Sequence, residues 1–271
     1  SSYGIHILPM PVIINGETYF EGVDIQPDEF YKMQEAGSAV STSQPSPGDV
    51  TAMWDRLLRT HDEIVFIPMS SGLSSACQTA CLLAEDEPYQ GRVFVVDNHR
   101  ISATQAVSVL DAKKLADKGK SGLEIKNILE KEAMDATIFI AVDTLEYLKK
   151  GGRITAAAAA LGTILRIKPV LTIQGGKLDL FGKARGVESA FRLMLEALRT
   201  DIQSRFSGLK DQGFLKIGLA NTLMDPDKLE HFKSALQAEF PDMELVYFPL
   251  AMSIGAHVGA GGLGIGAVRG L

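Results

Sequence analysis

The sequence predicts an α/β protein of two domains: a parallel-sheet N-terminal domain over residues 1–148 and an α+β C-terminal domain over residues 149–271. Three observations carry that prediction. First, "EIVFIPM", "RVFVVD" and "TIFIAVD" are short apolar runs separated by helical stretches, the alternation that βαβ units and a parallel sheet produce. Second, from "DTLEYLKKGGRI" onward the order changes to a hairpin, a long helix and further strands, an α+β layer with antiparallel pairing; the change falls near Asp143 to Gly152. Third, the 271 residues are 46% hydrophobic and 22% charged, an ordinary composition for chains that bury a sizeable core.

Each element has a local reason. Pro11 to Phe20 reads as two short strands around Asn15-Gly16, a pair that accepts φ > 0 at both turn positions. Pro27 and Asp28 suit the first turn of a helix through "QPDEFYKMQE". "STSQPSPGDV" reads as a polar loop leading into the amphipathic helix "PGDVTAMWDRLLRT". Beyond the alternating strands, "ISATQAVSVLDAKKLADKG" is a helix ending at Gly119, and Ser121 caps the next, "GLEIKNILEKEAM". Gly151-Gly152 stops the helix in "DTLEYLKKGGRI" as a left-handed cap. "AAAAALGTILRI" continues as a small-residue helix, "KPVLTIQGGKLDLFGKA" forms a second hairpin, and a helix runs from about Val187 to Phe206. "FLKIGLAN" and "MELVYFPLA" are strands, with a helix from Asp225 to Phe240 between them. An alternating α/β unit is expected to open with a buried strand, and none precedes the hairpin in this sequence.

Composition excludes several function classes. The net charge of -6 argues against a nucleic-acid protein, which carries a basic stripe. No window approaches the roughly 20 apolar residues that cross a bilayer, and "SSYGIHILPM", with no basic stretch ahead of an apolar core, is not expected to be a signal peptide. Cys77 and Cys81, four apart in one predicted helix, read as core thiols; no metal site is expected. The cytoplasm is the expected compartment.

Four stretches carry candidate chemistry. "MSSGLSSACQTA" follows a strand and precedes a helix, whose first amides point outward unpaired at the positive end of the dipole, so an anion fits there. It lacks the Gly-Lys-Ser/Thr of a phosphate loop. It also falls short of a nucleophile elbow, because Ala76 stands where the second glycine after Gly72 and Ser74 belongs. Ser71 or Ser74 as a plain helix cap explains the same residues. In "STSQPSPG", Thr42 and Ser43 offer hydroxyls ahead of a turn, although taken alone the stretch reads as a loop with capping groups. In "KKGGRI", two glycines expose Arg153, whose planar fork suits a carboxylate or phosphate, although a cap followed by a surface arginine fits equally. In "IGAHVGAGGLGIG", His257 sits in a glycine-rich stretch that reads as a loop letting backbone approach a ligand. "HDE" at His61 lies at the amino edge of the sheet. "DNHR" lies at the carboxyl edge, where Asn98 and His99 could face the cleft, but both stretches read mainly as solvated loops.

Taken together, "PMPVIINGETYFEGVDI", "STSQPSPGDV", "SSGLSSACQTA", "DTLEYLKKGGRIT", "ILRIKPVL" and "GAHVGAGGLGIG" resemble, in order and spacing, the DegV family of bacterial fatty-acid-binding proteins, over essentially the whole chain. The resemblance implies a DegV-like fold of two α/β domains with a long-chain fatty acid buried between them and its carboxylate at the mouth of the tunnel. It implies Thr42 and Ser74 as carboxylate donors, His257 in the same hydrogen-bond network, and Arg153 at the head group or the surface facing a partner. Ser43, Gly72 and Ser75 join the ligand-binding set as neighbours in the same two loops. It further implies no catalysis in this chain and no cofactor. The partner is a separate ATP-dependent fatty acid kinase that makes an acyl phosphate for phospholipid synthesis, with transient membrane contact. The sequence departs from the family pattern at Ser75 and Ala76 in the serine loop, at Ala260, and at "DNHRIS".

Energetics fit a lipid. Burying a methylene gives about 0.8 kcal/mol, so a chain of about 16 carbons gains about 12 kcal/mol before binding costs, against about 0.3–2 kcal/mol for a carboxylate at a helix N-terminus. The tail dominates affinity and the head group fixes register. Two alternatives stand beside this reading: a carrier of another amphiphile, and a serine hydrolase or acyltransferase using Ser74 with His257.

Overall fold

The computed structural model describes residues 3–160 and 167–271. The chain opens with Val12–Ile14 (β1) and Glu17–Tyr19 (β2), an antiparallel hairpin. Its turn residues have φ of +52° at Asn15 and +90° at Gly16, which is why Asn-Gly stands there. Pro27–Glu35 (α1) follows, then Val40–Thr42 (β3), which pairs with the other edge of β1. Thr42, expected in a loop, therefore ends a strand and is registered opposite Val12. The hairpin's open edge recruits this segment because a lone two-stranded ribbon is marginal in water.

Pro47–Leu57 (α2) is capped by Ser46, whose hydroxyl accepts from the Asp49 amide. Ile64–Phe66 (β4) and Val93–Val95 (β5) flank Ala76–Ala84 (α3) and pair in parallel. Trp54, Tyr89 and Cys77 close the core beneath them. Burial pushes the Cys77 thiol up to about 12, so it is a core group with no thiolate character at neutral pH. Ser102–Asp117 (α4) ends ahead of Gly119. Gly122–Lys131 (α5) starts with a capping box between Ser121 and Glu124.

Ala136–Ala141 (β6) departs from expectation. It does not extend the parallel sheet; it sits inside a six-stranded sheet of order β10-β9-β11-β6-β7-β8. The other members are Ile167–Ile173 (β7), Asp179–Arg185 (β8), Leu215–Asn221 (β9), Leu245–Tyr247 (β10) and Leu263–Arg269 (β11). The parallel sheet is thus two-stranded, and the larger sheet begins at Ala136, ahead of the 148/149 division drawn from the sequence. "ATIFIA" is apolar on both faces, which suits the middle of any covered sheet, so sequence alone did not assign it. Pairing is antiparallel except between β9 and β10, which Pro226–Glu239 (α10) connects as a crossover.

The remaining helices are Glu146–Gly151 (α6), Ala156–Ala159 (α7), Val187–Ser204 (α8), Ser207–Asp211 (α9) and Met252–Val258 (α11). The small-residue helix expected from Ala156 is present over α7, and its continuation through 161–166 lies outside the described residues. "GAHVGAGGLGIG", expected to be a loop, instead spans the end of α11 and the start of β11.

Both faces of the large sheet are covered. On one, Phe139, Val170, Ile217, Leu219, Leu263 and Ile265 pack under α8 and α10, with Phe191, Met194 and Phe232 at the centre. The other face meets the serine loop, the start of α4 and α11, and a cavity opens between them.

Candidate functional site

The cavity is about 250 Å³. Its floor is read from the sheet register. Leu171, Ile140, Gly264 and Ala220 form one row across β7, β6, β11 and β9; Ile173, Ile138, Gly266 and Gly218 form the next. Large side chains on β6 and β7 stand beside glycine and alanine on β11 and β9, so that half of the floor is low, with open space above Gly264. Alternation puts every second residue on one face, so "IGLA" and "LGIG" send their large residues to the opposite core and their small ones here. Apolar walls are completed by Met10, Met69, Leu73, Ile101, Leu148 and Leu178.

Polar groups gather at this lining from four distant segments. Thr42, Ser43, Ser74, Ser75, Arg153 and His257 all border the cavity. β3 delivers Thr42 and α11 delivers His257, and Thr42 Oγ1 shares a hydrogen bond of 2.8 Å with His257 Nε2. The imidazole lies so close to α6 that a Cβ on Gly151 would fall 2.1 Å from its Nδ1. Burial, with the Arg153 cation adding to it, pulls the His257 pKa down to about 4, so the ring is neutral at pH 7. Gln34 Nε2 donates to the carbonyls of Gly255 and Ala256, each at 3.3 Å, which ties α11 to α1.

The left-handed Gly152 (φ +70°) ends α6 and turns Arg153 back toward the serine loop. Arg153 Nε donates to the Leu73 carbonyl at 3.2 Å, and Nη1 donates to the Gly151 carbonyl. These bonds occupy two of its five donors and hold the guanidinium against the backbone of the serine loop.

In the serine loop, Ser74 both lines the cavity and accepts the Ala76 amide at 3.2 Å, so capping and cavity-facing coexist in one residue. Ser75 occupies the cap position without a side-chain cap bond. Ser71 is exposed and caps nothing; its amide donates to Asp97 Oδ1 at 3.4 Å. Gly72, expected among the ligand contacts, does not line the cavity. A Cβ there would fall 2.6 Å from the Gly175 carbonyl oxygen, so the residue is glycine because two backbones touch. Ser70, buried, fastens the same junction by donating to the Gly175 carbonyl at 2.6 Å.

"DNHR" is not a solvated loop. Asn98 and Arg100 are buried and both donate to Ser108 Oγ at 2.9 Å, away from the cleft, while Arg100 Nη2 donates to the Glu132 carbonyl at 2.6 Å. His99, at φ +55°, packs against Gly175. Residues not singled out from sequence also border the cavity: Gln44, Ser253 and Ser102, the last at φ +60°, an uncommon conformation for a residue with a Cβ. The alternation of small and large residues in "KIGLAN" and "LGIGAV" was the available signal for the floor, and it is masked when glycine is read only as a turn former.

Chemically, the lining offers hydroxyls, a neutral imidazole and one guanidinium beside an apolar chamber. Among the described residues no carboxylate hydrogen-bonds His257, and no group of side chains could hold a metal ion. No helix among them is long and apolar enough to cross a membrane.

The fold and this lining define a class: a mixed α/β protein, with a parallel sheet and a larger mixed sheet, whose layers enclose an apolar cavity rimmed by anion donors. The DegV family model, described as "Uncharacterised protein, DegV family", matches residues 1–270. The chain belongs to the DegV family. A DegV domain-containing protein of Deinococcus radiodurans is 30% identical over 269 residues, covering 98% of this chain and 91% of that protein. A DegV family protein from Thermus thermophilus, whose structure is described for its fatty acid binding, superposes with a TM-score of 0.87 at 32% identity, covering 99% of this chain and 93% of that one. DegV from Bacillus subtilis, described as a fatty acid binding protein, superposes at 0.83 with 25% identity and coverage of 99% and 93%.

Proposed function

We propose that this protein binds a long-chain fatty acid, with the tail in the cavity and the carboxylate among Thr42, Ser74, Arg153 and His257. It then presents that carboxylate to a separate ATP-dependent fatty acid kinase in the cytoplasm, with transient membrane contact, and has no catalysis or cofactor of its own. The observation that carries the reading is the meeting of four polar groups, drawn from residues 42 to 257, at one apolar chamber. The fatty acid binding described for the Thermus and Bacillus relatives supports it. The hydrolase alternative fares poorly, because His257 is paired with Thr42 rather than with a carboxylate that would orient it as a base.

The test is a titration of delipidated protein with palmitate and with oleate. Saturable binding at one site per chain is expected, weakened in His257→Ala. Absence of binding to either acid while a different amphiphile binds would replace the reading with the other-carrier alternative. A fluorophosphonate probe is expected to leave Ser74 unlabelled; labelling would restore the hydrolase.

A further inference from the structure

We infer that Ile138 and Ile173, with Thr104, form the end wall of this cavity and set the longest acyl chain it accepts, an inference that rests on the fatty-acid reading. A second, small chamber of about 20 Å³ lies behind the first, and Thr104, Ile138 and Ile173 border both. Those three side chains are therefore a partition with space on either side.

The register fixes its position along the tunnel. From Ala141 the chain leaves β6 toward Leu148 and Arg153, the polar end. Ile140 stands in the row nearer that end, and Ile138, paired with Ile173, stands one row farther, about 6.8 Å along the strand. The next position back, Ala136, borders the second chamber alone. Escape over the floor is closed as well: a Cβ on Gly218 would lie 3.3 Å from the Ala103 Cβ, so α4 already rests on the sheet there.

The far chamber does not suit a methyl end. It has room for about one water, and Arg100, Thr137 and Gln174 are among its lining residues. A chain crossing the partition would enter a space no larger than about one water, bordered by the buried Arg100, so it stops at the isoleucines.

The experiment offers delipidated wild type, Ile173→Ala, Ile173→Val and Ile138→Val an equimolar series of saturated fatty acids and weighs the bound ligand by native mass spectrometry. Ile173→Ala is expected to shift the preferred chain longer by about two to three carbons, the length of the atoms removed. The valine variants are expected to shift in the same direction by less, and they carry the test if the alanine variant does not fold. An unchanged or shortened distribution in the variants, with wild type still binding fatty acid, would overturn the wall. A wild type that binds no member of the series would overturn the fatty-acid reading itself.

Discussion

His257 shows how one residue's surroundings decide its role. Burial and the Arg153 guanidinium hold its pKa at about 4, below the ordinary 6.5. Between those values the unfolded chain takes up a proton that the folded protein does not, so this contribution to stability is complete above about pH 6.5 and is lost as pH falls toward 4. It is worth at most about 3 kcal/mol, and His257→Gln is expected to flatten the decline in unfolding free energy across that range; an identical slope in the variant would contradict it. Replacing Arg153 with Met is expected to raise the His257 pKa, read by NMR titration of its ring protons. Gly151→Ala is expected to weaken ligand binding by displacing the imidazole, since its Cβ would meet Nδ1 at 2.1 Å. At this scale the residue types alone left Thr42 and Ser74 as plausible caps and Arg153 as a plausible surface arginine; the family resemblance grouped them with His257, and all four border one cavity. Gly72, grouped with them as a loop neighbour, does not border the cavity; its backbone contact with Gly175 was not legible because it joins segments about a hundred residues apart.

Elements were legible where local chemistry is decisive. The Asn15-Gly16 turn, the Ser121 cap and the Gly152 cap all appear where the residues place them. Pairing partners were not legible, because register depends on segments far apart in the chain: β3 joined a hairpin edge, and β6 joined the second sheet between β11 and β7. β11 was hidden for another reason, as its glycines suggest a loop while their true setting is a strand that must leave a cavity open. The two glycines separate experimentally. A Cβ on Gly266 would lie 2.3 Å from the Thr137 carbonyl oxygen, whereas one on Gly264 meets nothing nearer than 3.6 Å. Gly266→Ala is expected to destabilise the fold by about 1–3 kcal/mol, with Gly264→Ala close to wild type in chemical denaturation. Equal midpoints for the two variants would contradict this.

At the scale of the molecule, the cavity lies where the serine loop, α4 and α11 meet the large sheet, so neither sheet alone makes the site. Beside the site, the buried Arg100 ties the middle of α4 to the end of α5: burial lowers its pKa only to about 10, and it stays charged while donating to Ser108 and to the Glu132 carbonyl. The division between tail and head group predicts a division of labour. Ser74→Ala and Arg153→Ala are expected to reduce acyl phosphate formation in a reconstituted kinase assay more than they reduce fatty-acid affinity; equal losses in both assays would contradict it. The most direct measurement for the whole account is solvent extraction of the purified protein followed by mass spectrometry of the extract. A long-chain fatty acid at about one per chain is expected, retained through purification by the buried tail. An extract without fatty acid, from protein that also stays empty when offered palmitate or oleate, would contradict it.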